Sequence, residues 1–125
     1  MPDSKLAQFS GRSYISLETF KKNGQGVPTA VWFITHNGAL YVYTDADSWK
    51  VKRIRNNSRV RVAVCNMRGT VKGPWVDGTA SLVEGDERRT ADELLDRKYW
   101  TKAILNFLVR NNSRRKRAMI RIDIA

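Results

Sequence analysis

The sequence predicts a mostly β protein with helices: a small barrel of six antiparallel strands, with one short basic helix after the third strand and helices before the last. Three observations carry this. Apolar and polar residues alternate along Ile15–Thr19, Val60–Val64 and Ala118–Ile124, the period-two pattern of a strand with one buried face. Glycine-bearing turns (Asn23-Gly24, Asn37-Gly38, Arg68-Gly69) separate such runs. Helical spacing is confined to positions 48–56 and 86–112.

Taken in order, residues 1–12 show no periodicity and read as an N-terminal arm or a short helix. Tyr14–Phe20 is the first strand. Lys21–Gly26 turns the chain into Val27–Thr35, whose β-branched and aromatic run reads as one strand buried on both faces. His36-Asn37-Gly38 is a tight turn, because Asn and Gly tolerate positive φ, and Leu40–Thr44 returns as its hairpin partner. Ser48 stands where it can cap a helix running to about Asn56. After Asn56-Asn57-Ser58, Val60, Val62 and Val64 share one face of a strand, with Arg59, Arg61, Ala63 and Cys65 on the other. A long strand follows from Thr70 to Glu84; Gly73-Pro74 and Gly78 interrupt it and read as bulges or bends. Asp86–Asn112 is helical, with Leu94, Leu95, Ala103, Ile104, Phe107 and Leu108 as its buried stripe and a break near Tyr99-Trp100. Ala118–Ile124 is the last strand.

A length of 125 residues suits one domain, residues 1–125, and 42% hydrophobic content argues against disorder. No apolar run approaches the ~20 residues of a membrane span. The start, MPDSKLAQFS, lacks the apolar core of a secretion signal, so a cytoplasmic location is expected. With Cys65 the single cysteine there is no internal disulfide and no zinc ribbon. Metal-ligand spacings, a P-loop and G-x-G-x-x-G are all missing. Cys65, in a valine-rich strand, reads as space-filling, and His36, in a turn, as a surface residue. If this chain is an enzyme, a bound cofactor supplies its reactivity.

The charge is uneven. There are 23 Lys and Arg against 12 Asp and Glu, a formal net charge of +11, which points to anionic partners. Lys50, Lys52, Arg53, Arg55, Arg59 and Arg61 fall together with no acid between them, and a second basic run spans 110–117. The densest constellation is Thr44-Asp45-Ala46-Asp47-Ser48-Trp49-Lys50-Val51-Lys52-Arg53. There a strand ends, a serine opens a helix, and cations follow within a turn and a half. Helix N–H groups, a hydroxyl and cationic donors converging at one point make an anion site, most naturally for a phosphate. The competing reading of the same residues is a solvated basic helix.

The runs VPTAVWF (27–33), LYVYTDADSWKVKRIRNNSRV (40–60) and GPWVDGTASLVEG (73–85) resemble the pyridoxamine-5′-phosphate-oxidase-like split barrels, the FMN-binding split-barrel type, which are flavin and deazaflavin oxidoreductases. Within that superfamily S-x-K-V-K-R-x-R-x-N-x-R-V and G-P-W-V-x-G-T-A are similar to the branch of F420-dependent enzymes. The resemblance implies a homodimer with F420 or FMN at the interface and hydride transfer to or from a small organic substrate. It assigns the cofactor phosphate to Lys50, with Ser48 opening the loop and Lys52 and Arg53 as neighbouring cations. Thr44 and Trp49 belong to the same loop and helix start. Thr29, Ala30 and Val31 match the strand lying along the flavin ring, with Trp32 a weaker candidate. Trp75 matches a segment approaching the ring from the dimer partner.

Two departures stand out. The chain is shorter than true pyridoxamine-phosphate oxidases and lacks their arginine- and histidine-bearing C-terminal signature, so that substrate is not expected. Where those oxidases carry an arginine on the second strand, Thr29-Ala30 stands here, which shifts the phosphate grip to positions 48–53. Two other readings compete: a non-catalytic carrier of the same cofactor, and a basic barrel that binds nucleic acid by stacking bases on Tyr41, Tyr43, Trp49 and Trp75.

Overall fold

The computed structural model describes residues 6–99 and 117–125. Among them are β1 (Tyr14–Phe20), β2 (Gly26–Val31), β3 (Ile34–His36), β4 (Ala39–Asp45), α1 (Trp49–Asn56), β5 (Arg59–Cys65), β6 (Val76–Val83), α2 (Gly85–Lys98) and β7 (Arg117–Ile124). The strands form one seven-stranded sheet in the order β2-β1-β5-β6-β7-β4-β3, every pair antiparallel. No helix among the described residues is long and apolar enough to cross a membrane.

The sheet's two edges, β2 and β3, are consecutive in sequence, joined only by Trp32-Phe33. The expected single strand over Val27–Thr35 is therefore two strands, and the count is seven rather than six. The break is a corner where the chain leaves one edge of the sheet and enters the other, closing the barrel without a hydrogen-bonded seam.

A corner of this kind leaves backbone groups unpaired, and Phe33 is fully buried there. Buried amides without partners are costly. The Tyr99 hydroxyl, just past α2, accepts from Phe33 N–H at 3.1 Å and has the carbonyls of Ser13 and Phe33 at 2.7 and 2.9 Å for its one proton. Lys98 Nζ donates to the same Phe33 carbonyl at 2.9 Å and lies 3.8 Å from the Phe33 ring centroid. Trp32 turns outward and stacks on Tyr99, centroids 4.6 Å apart with the planes 4° from parallel.

Two apolar clusters result. Inside the barrel lie Ile15, Leu17, Phe33, Leu40, Val42, Ile54, Val60, Val62, Val64, Ile120 and Ile122. Outside, α2 sets Ala91 and Leu95 over Ile34, Tyr41, Val83 and Met119. Residues 6–12 are not a loose arm: Leu6-Ala7 is helical and Phe9 is buried edge-on to Phe33, 6.1 Å away. Asn37 (φ 50°) and Gly38 (φ 79°) make the predicted tight turn.

β7 runs between β6 and β4, and its register is unbroken on both sides. Gly78 is thus no bulge. A Cβ there would stand 3.0 Å from the Asp123 carbonyl and from Ile122 Cγ2, so glycine permits the close approach of β6 to β7. The regular ladder of β6 starts only at Val76, after Pro74, which has no N–H to give; Val71 makes an isolated bridge to Cys65. Buried Cys65 fills space, and burial raises its thiol pKa. Of the helix expected over Asp86–Asn112, Gly85–Lys98 is α2; Trp100, Ala103, Ile104, Phe107 and Leu108 lie outside the described residues, as does the basic run before Arg117.

α1 seals one end of the barrel with Val51 and Ile54, both buried. Ser48 is its cap: Oγ accepts from Val51 N–H at 3.4 Å, and the Ser48 carbonyl accepts from Lys52 N–H at 3.3 Å. Ser48→Ala should destabilise the fold by about 1 kcal/mol in denaturant titration.

Tyr99→Phe should cost about 1–3 kcal/mol, because it strands the Phe33 N–H. Burial raises the Tyr99 pKa from 10.0 to about 12. The hydroxyl's contribution is therefore complete below pH 10 and lost as pH rises towards 12. Denaturation of wild type and Tyr99→Phe at pH 8 and pH 11.5 should show the gap between them narrowing at the higher pH.

Candidate functional site

The start of α1 gathers most of the predicted residues. Helix geometry divides them, because successive residues turn by about 100°. Lys50 and Arg53 lie on neighbouring flanks, whereas Lys50 and Lys52 point nearly opposite ways. Arg53 reaches back to the sheet, Nε donating to Thr19 Oγ1 at 2.8 Å; Thr19 is fully buried on β1. Lys52 rests over the Trp49 indole, Nζ 4.5 Å from the ring centroid.

Lys50 is half-buried, and its pKa is lowered first by that burial and then by the Arg53 charge, with Asp45 opposing. Among the described residues no carboxylate forms a salt bridge with Lys50, Lys52 or Arg53, and the first turn of α1 holds no acid. Two cations forced together and partly dried raise each other's electrostatic energy. An anion seated between them relieves both.

Beside this pair opens a cavity of about 490 Å³, lined by Phe20, Lys21, Lys22, Trp49, Lys52, Arg53 and Asn56. Its volume lies within the usual range for small-molecule sites. Trp49, 69% exposed, supplies an aromatic wall with Lys52 over its ring. Thr44, on β4 opposite Ala118, and Ser48 do not line it, nor does Lys50. Phe20, Lys21, Lys22 and Thr19 are the residues that sequence reasoning missed. They come from the end of β1 and its turn, and no local signal ties them to α1.

The other predicted residues lie elsewhere. On edge strand β2, Thr29 pairs with Leu17 and Val31 with Ile15, which puts both on the barrel side. Ala30 pairs with Ser16 and faces outward. Trp75 sits on that outer side too, the Arg61 guanidinium 4.8 Å from its ring. Arg61 is held by Glu18, Nε to Oε1 2.6 Å, and the Glu18 carboxylate fills the space a side chain at position 26 would need, hence Gly26. Trp32 is taken up by Tyr99. The predicted residues thus divide among the start of α1, the barrel side of β2 (Thr29 and Val31), the outer face of β2-β1-β5 (Ala30 and Trp75) and, for Trp32, the stack on Tyr99.

Comparison with known proteins agrees with the topology. The family model for pyridoxamine 5′-phosphate oxidase matches residues 2–125. No curated protein matches the sequence. Among solved structures, a conserved hypothetical protein of Mycobacterium tuberculosis is 23% identical, with a TM-score of 0.70 over 99% of this chain and 81% of that one. HutZ, the heme storage protein of Vibrio cholerae, is 14% identical, with a TM-score of 0.71 over 98% and 89% of the two chains. A FAD-binding protein of Mesorhizobium loti is 18% identical, with a TM-score of 0.66 over 99% and 87%. At such identities the likeness is one of fold. Because the family model spans nearly every residue and the sheet closes as a split barrel, this chain belongs to the pyridoxamine 5′-phosphate oxidase family.

Proposed function

We propose that the protein is an oxidoreductase that binds F420 or FMN and passes hydride between that cofactor and a small organic substrate. One observation carries the reading: the half-buried Lys50 beside Arg53, with no carboxylate salt-bridged to either among the described residues, at the capped start of a helix. Ammonium, guanidinium and helix N–H groups are the donor set a phosphate takes. Trp49 and Phe20 offer aromatic surface beside it, suited to a flat ring system. The FAD-binding relative of Mesorhizobium loti supports a flavin-type ligand in this fold.

A bound flavin or deazaflavin would supply the hydride chemistry. The chain's own part is to hold and shield. Lys50 and Arg53 fix the phosphate, Lys52 stiffens the Trp49 wall, and β2 lends backbone to a ring edge through Thr29, Ala30 and Val31. Ala30 and Trp75 lie on the outer face of β2-β1-β5 rather than in α1. A homodimer, with Trp75 approaching from the second copy, brings both surfaces to one cofactor.

Equilibrium binding of F420 and FMN to the protein and to Lys50→Ala tests this. One cofactor should bind, and Lys50→Ala should weaken it about 30-fold, roughly 2 kcal/mol. Binding by neither, or equal binding by the variant, overturns the phosphate assignment. The same titration across pH has a defined sign. Lys50 loses its proton below the ordinary 10.5, so affinity falls with rising pH earlier than for a free lysine, and Lys50→Ala flattens that fall. Turnover with candidate acceptors then separates an enzyme from a carrier.

A further inference from the structure

A second cavity, of about 230 Å³, lies where α1, α2, β6 and β7 meet. Arginines from three elements line it: Arg55 of α1, Arg88 of α2 and Arg117 at the start of β7. Leu82, Val83 and Met119 add apolar residues to the lining. We propose that this cavity is a binding site for a small organic anion, an oxyacid headgroup carried on a compact apolar body, separate from the site at the start of α1.

The charges decide the class. Glu84 is the one acid on the lining, and it is mostly exposed and already engaged by Arg88 at 3.4 Å. Asp92 stands close enough to Arg88 and Arg117 to feel both, but is not part of the wall. The lining keeps an excess of positive charge. Arg88 and Arg117 are also held in place. Arg88 Nη2 donates to the Arg117 carbonyl at 2.5 Å, and the Arg117 guanidinium lies 4.6 Å from the Tyr43 ring centroid.

Arg55 is different. It is exposed, and it makes no hydrogen bond or ion pair among the described residues. Its place in the last turn suits the helix dipole, but that role needs neither Arg88 nor Arg117 beside it. Planar guanidinium forks match carboxylate and phosphate oxygens in pairs. A cavity of this size suits a compact ligand such as benzoate or phenyl phosphate.

The test is calorimetric titration of the full chain with phenyl phosphate and, separately, with benzoate at fixed ionic strength. It is run in wild type and in Lys50→Ala, so that binding at the start of α1 is weakened and can be told apart. At least one probe should bind Lys50→Ala at one site. Adding Arg55→Gln should weaken that binding about tenfold, Arg55→Glu should abolish it, and Arg55→Lys should keep part of it. Arg55 has no bonded partner among the described residues, so these variants should fold, with melting curves near that of wild type. Arg88→Gln, measured alongside, should also weaken binding. Failure of both probes to bind, loss of all binding in Lys50→Ala, or binding indifferent to Arg55 overturns the proposal. The first and last of these results leave the cofactor assignment of Lys50 standing.

Discussion

The corner at Trp32-Phe33 sets the terms for the rest of the molecule. A barrel whose two edges are joined by two residues of chain must bury a stretch of backbone outside any ladder. That is tolerable only where side chains replace the missing strand. Tyr99 and Lys98 do so from α2, and in doing so they fix where α2 lies on the outer face of β3, β4 and β7. The position of α2 then determines the outer cluster, and with it the Tyr41 hydroxyl bonded to Glu87 and the Arg121–Glu87 ion pair at 2.7 Å. One amide left outside the ladder, 66 residues from its partner in sequence, thus couples the closure of the sheet to the docking of a helix.

At the other end of the barrel the balance reverses. The corner pairs its buried amide and carbonyl; α1 is partly dry, and among the described residues its cations Lys50, Lys52 and Arg53 form no salt bridge. Perturbed charges of this kind cluster at functional sites, which is the ground on which a phosphate is proposed for Lys50 and Arg53. The price is small because Val51 and Ile54 anchor the helix by burial and Ser48 caps it, so neither depends on the charges.

Much of this was legible in the sequence, and the failures share a cause. β1, β5 and β7 follow from alternation, because each turns one apolar face into the barrel, and β4 follows as the hairpin partner of the segment before it. The Asn37-Gly38 turn and the Ser48 cap follow from local chemistry, and so do the cations that open α1. The corner is invisible, because Val31, Trp32, Phe33 and Ile34 are all strand formers, and what breaks the strand is Tyr99 far along the chain. Reading 70–84 as one strand failed for a related reason: its apolar residues continue, but the pairing does not. Within the site, the identity of the cations was readable and their grouping was not. Whether Lys50 and Lys52 act together depends on which face α1 turns towards β1, and Phe20, Lys21 and Lys22 enter only through that packing.

The central position of β7 bears on how the chain is made. Synthesis runs from β1 onward, so β4 and β6 are both complete while the strand that belongs between them does not yet exist. Without residues 117–124 the strand order falls into two groups, β2-β1-β5-β6 and β4-β3, each with an edge that β7 covers in the folded protein. Open edges of this kind invite pairing with a neighbouring chain. The burden of preventing it falls on the residues that later face β7. On β4 these include the buried Leu40 and Val42, which offer a passing strand an apolar strip rather than a charged one. Newly made copies held close together, as on one messenger, are most exposed to cross-pairing in that interval, and the hazard ends only when the final strand slots home.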